Sequence, residues 1–335
     1  MEQLLVTKSV LMGNIYVFLL YFILLFMLMA IYFKLADRYN IIDKPNERSS
    51  HSLVTVRGGG IIFTISALMY AVFFGFPYPY FLSGLAIISF VSFIDDIREL
   101  NGKIRLVFQF ITSALMFMQL HLLSIPVYWI IPLLVFVVAM LNAWNFMDGI
   151  NGITGGYSLL TVMTLIYLND KVVPFSSTGF MVAVALALLV FIFFNFRTHA
   201  RCFAGDVGSI SIGFIIAFLM TQLIITTGNP NYLLFLLLYG LDATTTVFFR
   251  LMRKEEILEA HRSHLYQFLA NEKGLAHNTV SLLYVFFQLL INASIILLVP
   301  TGTDTVIYSL LIGLMIFLAI RFSIEGKAHL LRNEN

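Results

Sequence analysis

Asp95 and Asp96 stand side by side at the end of an apolar run, with Arg98, Lys103 and Arg105 close behind. Adjacent carboxylates repel each other and persist where a cation or a proton offsets them, which suits metal or general-base chemistry. The plainer alternative is a solvated interfacial turn. In a second segment Asn142, Asn145 and Asp148 recur every three residues, and Asn151 continues the series before Gly152. On a helix end this spacing makes one polar stripe of amides and hard oxygen donors, suited to Mg²⁺ and phosphate-bearing ligands. The segment holds no Lys or Arg, so it does not serve membrane topology.

Three further segments are polar. Asp206 lies between Gly205 and Gly208 at the head of an apolar run, either as an N-cap or as part of a site. Arg57 precedes Gly58, Gly59 and Gly60, with Pro45, Asn46 and His51 upstream. The glycines permit close backbone approach and a helix N-terminus attracts phosphate, although a hinge with basic topogenic residues would read the same. His261 and His264 are three apart, but with one Cys in the chain and no third ligand zinc is a poor reading. Hydrogen bonding or stacking on a base or diphosphate fits His264 better, and a satisfied interfacial histidine is the ordinary outcome.

The elements that must position these residues are membrane helices. Of 335 residues, 60% are hydrophobic and 11% charged, with a mean hydropathy of +0.92. A soluble globule, a disordered chain and a collagen-like fibre are all excluded by that balance. The net charge of +2 gives no basic field for nucleic acid, and the single Cys202 forbids an internal disulfide. Apolar runs fall near 11–34, 58–76, 80–94, 104–121, 125–143, 155–169, 173–195, 208–227, 231–250, 279–299 and 305–321. The expected fold is therefore an all-α polytopic bundle of about eleven transmembrane helices, residues 1–335 forming a single domain. The runs at 80–94 and 155–169 are short. The first run is too long for a cleaved signal and reads as a retained anchor.

With the N-terminus outside, eighteen of the twenty Lys and Arg fall on the inner side, and only Lys8 and Lys171 lie outside. The C-terminus is then cytoplasmic. Each step from Asp95 to Asp148, to Asp206 and to His264 crosses two runs, so all four return to the cytoplasmic face. Only Asp242 lies clearly within a run, where a charge costs ~2.5–3.5 kcal/mol on insertion scales, and it should face protein. A transporter or flippase for a lipid-linked sugar, the rival class, would need more charge along a path through the bilayer.

In this order, the motifs resemble the polyprenyl-phosphate N-acetylhexosamine-1-phosphate transferases, a branch of glycosyltransferase family 4 that initiates O-antigen and teichoic acid synthesis. The resemblance runs from about residue 41 to 268. Asp95 and Asp96 match the double-aspartate motif, Asn142 to Gly152 the Asn-rich loop, and Phe203 to Ser209 the Gly-Asp-x-Gly-Ser loop. His264 matches the histidine motif, but Tyr266 and Gln267 follow it. The His-rich cluster of the phospho-N-acetylmuramoyl-pentapeptide transferase, the alternative within the family, is missing.

The resemblance implies an enzyme of the bacterial cytoplasmic membrane. It would transfer N-acetylhexosamine 1-phosphate from a UDP-sugar to undecaprenyl phosphate, release UMP, and begin a cell-surface polysaccharide. By the same resemblance Asp206 and Asn145 hold Mg²⁺, which Mn²⁺ can replace. Asp95 and Asp96 position the acceptor, and Asp95 is a candidate base. Arg105, then His51 and Arg57, are candidates for the lipid phosphate. Asn142, Asp148, Asn151 and His264 line the nucleotide-sugar pocket. Related enzymes can dimerise, so a homodimer is among the expected partners.

Overall fold

The computed structural model describes residues 2–43, 54–75, 77–256, 262–298 and 302–331, and side chains from Ile15 onward. His51 lies outside the described residues, as do Pro45, Asn46 and His261. All eleven apolar runs are helical. Helix α1 covers Glu2–Tyr39, and a two-residue antiparallel ladder, β1 (Ile42–Asp43) with β2 (Thr55–Val56), leads into α2 (Ile61–Phe74). There follow α3 (Pro79–Ile97), α4 (Gly102–Gln119), α5 (Val127–Phe146), α6 (Ile153–Lys171), α7 (Thr178–Asn195) and α8 (Gly205–Thr227). A 3₁₀ segment at Pro230–Leu236 runs into α9 (Leu237–Met252). Short α10 (Leu265–Asn271), α11 (His277–Leu297), α12 (Thr303–Ile324) and short α13 (Gly326–Leu331) complete the chain.

The protein is an all-α polytopic membrane protein, but the elements are not equally apolar. Among the described residues eight segments are long and apolar enough to cross a bilayer: the 15–39 part of α1, then α3, α5, α7, α8, the 230–252 unit, α11 and α12. Helix α2 has 14 residues and falls short of the ~20 a straight crossing needs. Helices α4 and α6 have 18 and 19 residues but are diluted by polar side chains that face the bundle interior. Gln109, Thr112 and Ser113 of α4 are buried, and the Gln109 and Asn142 side chains pair as amides at 2.8 Å. In α6, Tyr157 donates to Gln288 at 2.6 Å and Thr164 accepts from Asn292 at 3.0 Å. Such interior bonding lets a mixed sequence sit among apolar helices.

Helix α8 is the centre. It is apolar on every side and buried nearly throughout, packed by α2, α3, α5 and α6, as a helix hydrophobic all round must be. Phe81 of α3 stacks on Phe214 and Phe218, with ring centroids 5.5 and 3.9 Å apart. The 3₁₀ segment before α9 frees backbone groups inside the bundle, and Gln288 of α11 takes up two of them. Its amide donates to Leu234 O at 3.0 Å and its carbonyl accepts from Leu238 N at 3.1 Å. An unpaired backbone group at membrane depth would cost several kcal/mol, roughly.

Candidate active site

The site is built where four chain segments meet at the head of α8. β2 runs on past Val56, which forms a parallel bridge to Cys202, and Phe203 N donates to Val56 O at 2.8 Å. Gly59 N and Gly60 N donate to Phe203 O and Ala204 O at 2.8 and 3.0 Å. The glycine run therefore lies directly on the 203–208 backbone. A Cβ at Gly60 would stand 2.2 Å from the Gly208 Cα, and one at Gly205 2.5 Å from an Asp96 carboxylate oxygen. Close approach is the function of these glycines, and what approaches is the chain itself.

Asp206 is in the first turn of α8 and does not cap it. Gly205 has φ +70, and the capping position, Ala204, has no side-chain cap. The cap comes from α3: Asp96 accepts from Asp206 N at 2.9 Å and from Val207 N at 3.0 Å. A carboxylate at two free helix amides is favoured by both hydrogen bonding and the helix dipole. Arg57 Nε then donates to Asp96 Oδ1 at 2.7 Å and its Nη2 lies 3.7 Å from Asp206 Oδ1. On the other side Arg105 Nη1 is shared between Asp95 Oδ2 at 2.8 Å and Asp206 Oδ2 at 3.0 Å, while Leu100 N donates to Asp95 Oδ1 at 2.6 Å. Three carboxylates and two guanidiniums, drawn from α3, α4, α8 and the 57–60 turn, thus form one cluster.

A narrow cleft opens beside it, lined by Arg105, Gln109, Asn142, Asn145 and Asp206. Asn145 is tied to α8, its Oδ1 accepting from Ser209 Oγ at 2.7 Å. Helix α5 ends at Phe146, so the expected stripe holds for Asn142 and Asn145 only. Asp148 follows in the turn, half-buried, within electrostatic reach of Asp96 and Arg57. Burial pushes its carboxyl up to about 7, against the Thr154 hydroxyl beside it. Asn151 turns away from the stripe: its amide donates to Arg197 O at 2.8 Å and Thr198 O at 3.3 Å, and its carbonyl accepts from Ser281 at 2.8 Å. It laces the loop to its neighbours. Asn195 does the same, accepting from Gly152 N at 2.7 Å and donating to Cys202 O at 2.9 Å.

His264 stands in a second cluster. It is fully buried, its Nδ1 3.5 Å from Asp242 Oδ1, and its ring lies against Phe146 and Tyr266. Asp242 faces protein, as expected, and accepts from Leu265 N, Tyr266 N and the Tyr284 hydroxyl at 2.9, 3.3 and 2.6 Å. Sequence reasoning missed Gln109, and it named Ser209 and Tyr266 without their partners, Asn145 and Phe146 O. The signal for Asp242 was present, as a lone charge within an apolar run.

Two side-chain oxygen donors, Asp206 and Asn145, face the one cleft, and Asp95 stands at Arg105 behind Asp206. Among the described residues no group of three His, Cys, Asp or Glu forms a metal cage. The donor set still fits Mg²⁺, which usually takes one or two protein oxygens and leaves its other positions to water and substrate phosphate.

Residues 78–224 match the model of Glycosyl transferase family 4, a stretch containing Asp95, Asp96, Arg105, Asn142, Asn145, Asp148, Asn151 and Asp206. Over that stretch the chain is similar to the family. The chain is 23% identical over 316 residues to a probable undecaprenyl-phosphate N-acetylglucosaminyl 1-phosphate transferase of Bacillus subtilis, covering 88% of this chain and 87% of that protein. It is 28% identical over 229 residues to the undecaprenyl-phosphate alpha-N-acetylglucosaminyl 1-phosphate transferase of Escherichia coli K12, covering 60% of each. With the enzyme of the same name from Salmonella typhi the identity is 30% over 211 residues, 56% of this chain and 57% of that one. The family match ends before Asp242 and His264, so the second cluster lies outside it.

Proposed function

We propose that this chain transfers an N-acetylhexosamine 1-phosphate from a UDP-sugar to undecaprenyl phosphate at the cytoplasmic face of a bacterial membrane. An oxygen of the lipid phosphate attacks the sugar-linked phosphorus, the bond from that phosphorus to the bridging oxygen breaks, and UMP leaves. Undecaprenyl-diphosphate-sugar remains, the first lipid-linked unit of a surface polysaccharide. The observation that carries this reading is the convergence of Asp95, Asp96, Asp206, Arg57 and Arg105 at the head of α8, beside a cleft lined by amides.

The obstacle is bringing two anions together. Two unit charges 4 Å apart interact by ~4 kcal/mol at an effective dielectric near 20. Arg105 and Arg57, each partly exposed, are the side chains that meet phosphate, Arg105 on the lipid side. Mg²⁺, held by Asp206 and Asn145 when bound, supplies positive charge against that repulsion and on the leaving phosphate. Asp95 and Asp96 hold the guanidiniums in place. The phosphate monoester has its second pKa near 6, so at neutral pH it is largely a dianion and needs no strong base. Asn142, Asp148 and Asn151 are assigned to the nucleotide-sugar end, with His264 behind them. His51 remains a candidate for the lipid phosphate.

The relatives' names make UDP-GlcNAc the first donor to test. Purified protein would be incubated with undecaprenyl phosphate, Mg²⁺ and a panel of UDP-N-acetyl sugars, with UMP and lipid-linked sugar followed together. Stoichiometric appearance of both with one sugar is expected. Chelation with EDTA should stop it and Mg²⁺ or Mn²⁺ restore it. Folded protein yielding neither product with any donor would overturn the reading, and turnover persisting in EDTA would remove the metal from it.

A further inference from the structure

Asp242 has no part in the cluster at α8, yet it is the most heavily bonded carboxylate in the second cluster. It is wholly buried on α9 and receives the first amides of α10, the Tyr284 hydroxyl of α11, the Thr246 hydroxyl at 3.3 Å and the imidazole of His264. A charge so placed is retained only where its surroundings satisfy it. The outer side of the same turn is held from α12. Arg321, also fully buried, donates to Thr245 and Thr246 at 3.0 and 2.8 Å and to Ser263 O at 2.8 Å, and Glu325 neutralises it. The turn at 263–266 is therefore fixed from three helices.

That turn reaches the first cluster through one side chain. The Tyr266 hydroxyl donates to Phe146 O at 2.8 Å, the last carbonyl of α5, two residues before Asp148. Tyr266 also fills the space over Gly149, where a Cβ would come within 2.2 Å of its hydroxyl oxygen. We propose that Asp242 is a positioning residue for the nucleotide-sugar end of the site: it fixes the His264–Tyr266 turn, and Tyr266 fixes the loop that carries Asp148. The inference rests on the transferase reading only in assigning Asp148 to the sugar nucleotide; the mechanical link stands on the contacts themselves.

Kinetics and amide exchange on the full-length enzyme test it. Asp242→Asn should raise KM for the UDP-sugar about tenfold and leave KM for undecaprenyl phosphate within about twofold, because the lipid side is held by Arg105 and α4. Tyr266→Phe, which keeps the ring and should fold even where Asp242→Asn does not, should raise the same KM about threefold. If Asp242 acts through Tyr266, the double variant should be no worse than Asp242→Asn alone. Equal loss for both substrates, or effects that multiply, would overturn the proposal. Amides of 146–150 should exchange several-fold faster in Tyr266→Phe, whatever the activity; unchanged exchange there would overturn the link. Absence of UMP release from wild-type protein with every donor would instead remove the transferase reading and leave the exchange result to decide the mechanical one.

Discussion

Asp96 is bound on both oxygens, by two α8 amides and the Arg57 guanidinium, which makes it a fixed part of the site rather than a free base. Asp96→Asn would turn an amide NH₂ toward a backbone N–H. With charged hydrogen bonds worth roughly 1.5–3 kcal/mol, thermal unfolding in detergent should move down by several degrees and turnover should fall with it. Asp206 contrasts with it: its carboxylate meets side chains, the two arginines and Asp95, and no backbone amide among the described contacts. Asp206→Asn should abolish most turnover at normal yield and unchanged melting; full activity would remove its proposed metal role. Asp148 gives a pH signature. Its carboxyl is raised to about 7, so the folded chain holds a proton that the unfolded chain has already released. Its contribution to stability is present below the usual carboxylate range and is lost as pH rises through about 7. The neutral amide introduced by Asp148→Asn carries no such penalty, so that variant should gain melting temperature relative to wild type between pH 5 and 8, roughly. A constant difference across that range would contradict the raised carboxyl.

At the scale of elements, the contact between the 57–60 turn and α8 depends on missing side chains. In Gly60→Ala the new Cβ meets the Gly208 Cα, backbone that no rotamer change can move aside. Overpacking of this kind costs about 1–3 kcal/mol, and here it also pushes Arg57 away from Asp96, so both melting temperature and activity should drop. Gly240, exposed on α9 with open space around it, is the control. Gly240→Ala should be neutral or stabilising by up to ~1 kcal/mol through helix propensity. Equal effects from the two substitutions would mean that the turn does not pack on α8 as described. Much of this layer was legible in the sequence. Polar residues at the ends of apolar runs, an even number of runs apart, had to meet on one side. What was not legible is which partner each group takes. An N-cap was one of two readings of Asp206, and the cap is Asp96 from another helix. Asn151 fitted the three-residue stripe, but the helix ends at Phe146 and Gly152, at φ +86, turns the chain toward the 195–202 segment. Both outcomes are tertiary, and local spacing carries no information about them.

At the scale of the molecule, the apolar runs located the long helices, yet among the described residues length and composition mark only eight segments as membrane-spanning. The difference lies in α2, α4 and α6, whose polar or short sequences are sheltered by neighbours. A hydropathy scan sees residues, whereas Gln109 or Tyr157 is made tolerable by Asn142 or Gln288 from distant sequence. Eleven crossings would put the termini on opposite sides, the C-terminus with the Arg-rich cytoplasmic surface. With eleven crossings, reporter fusions at the two ends should give opposite compartments, and matching compartments would mean that one or all three of those helices do not cross.

Cys202 is the chain's single thiol, and it is sealed under Gly59, where a Cβ would come within 2.7 Å of its sulfur; burial pushes its ionisation up. It sits on the seam joining β2 to the segment that feeds α8. The folded protein should therefore be silent toward maleimides, so that a sulfhydryl introduced elsewhere could be read without first removing the native one. The same seal makes the native sulfur a clock: its first labelling under rising denaturant marks the moment when the glycine turn parts from α8.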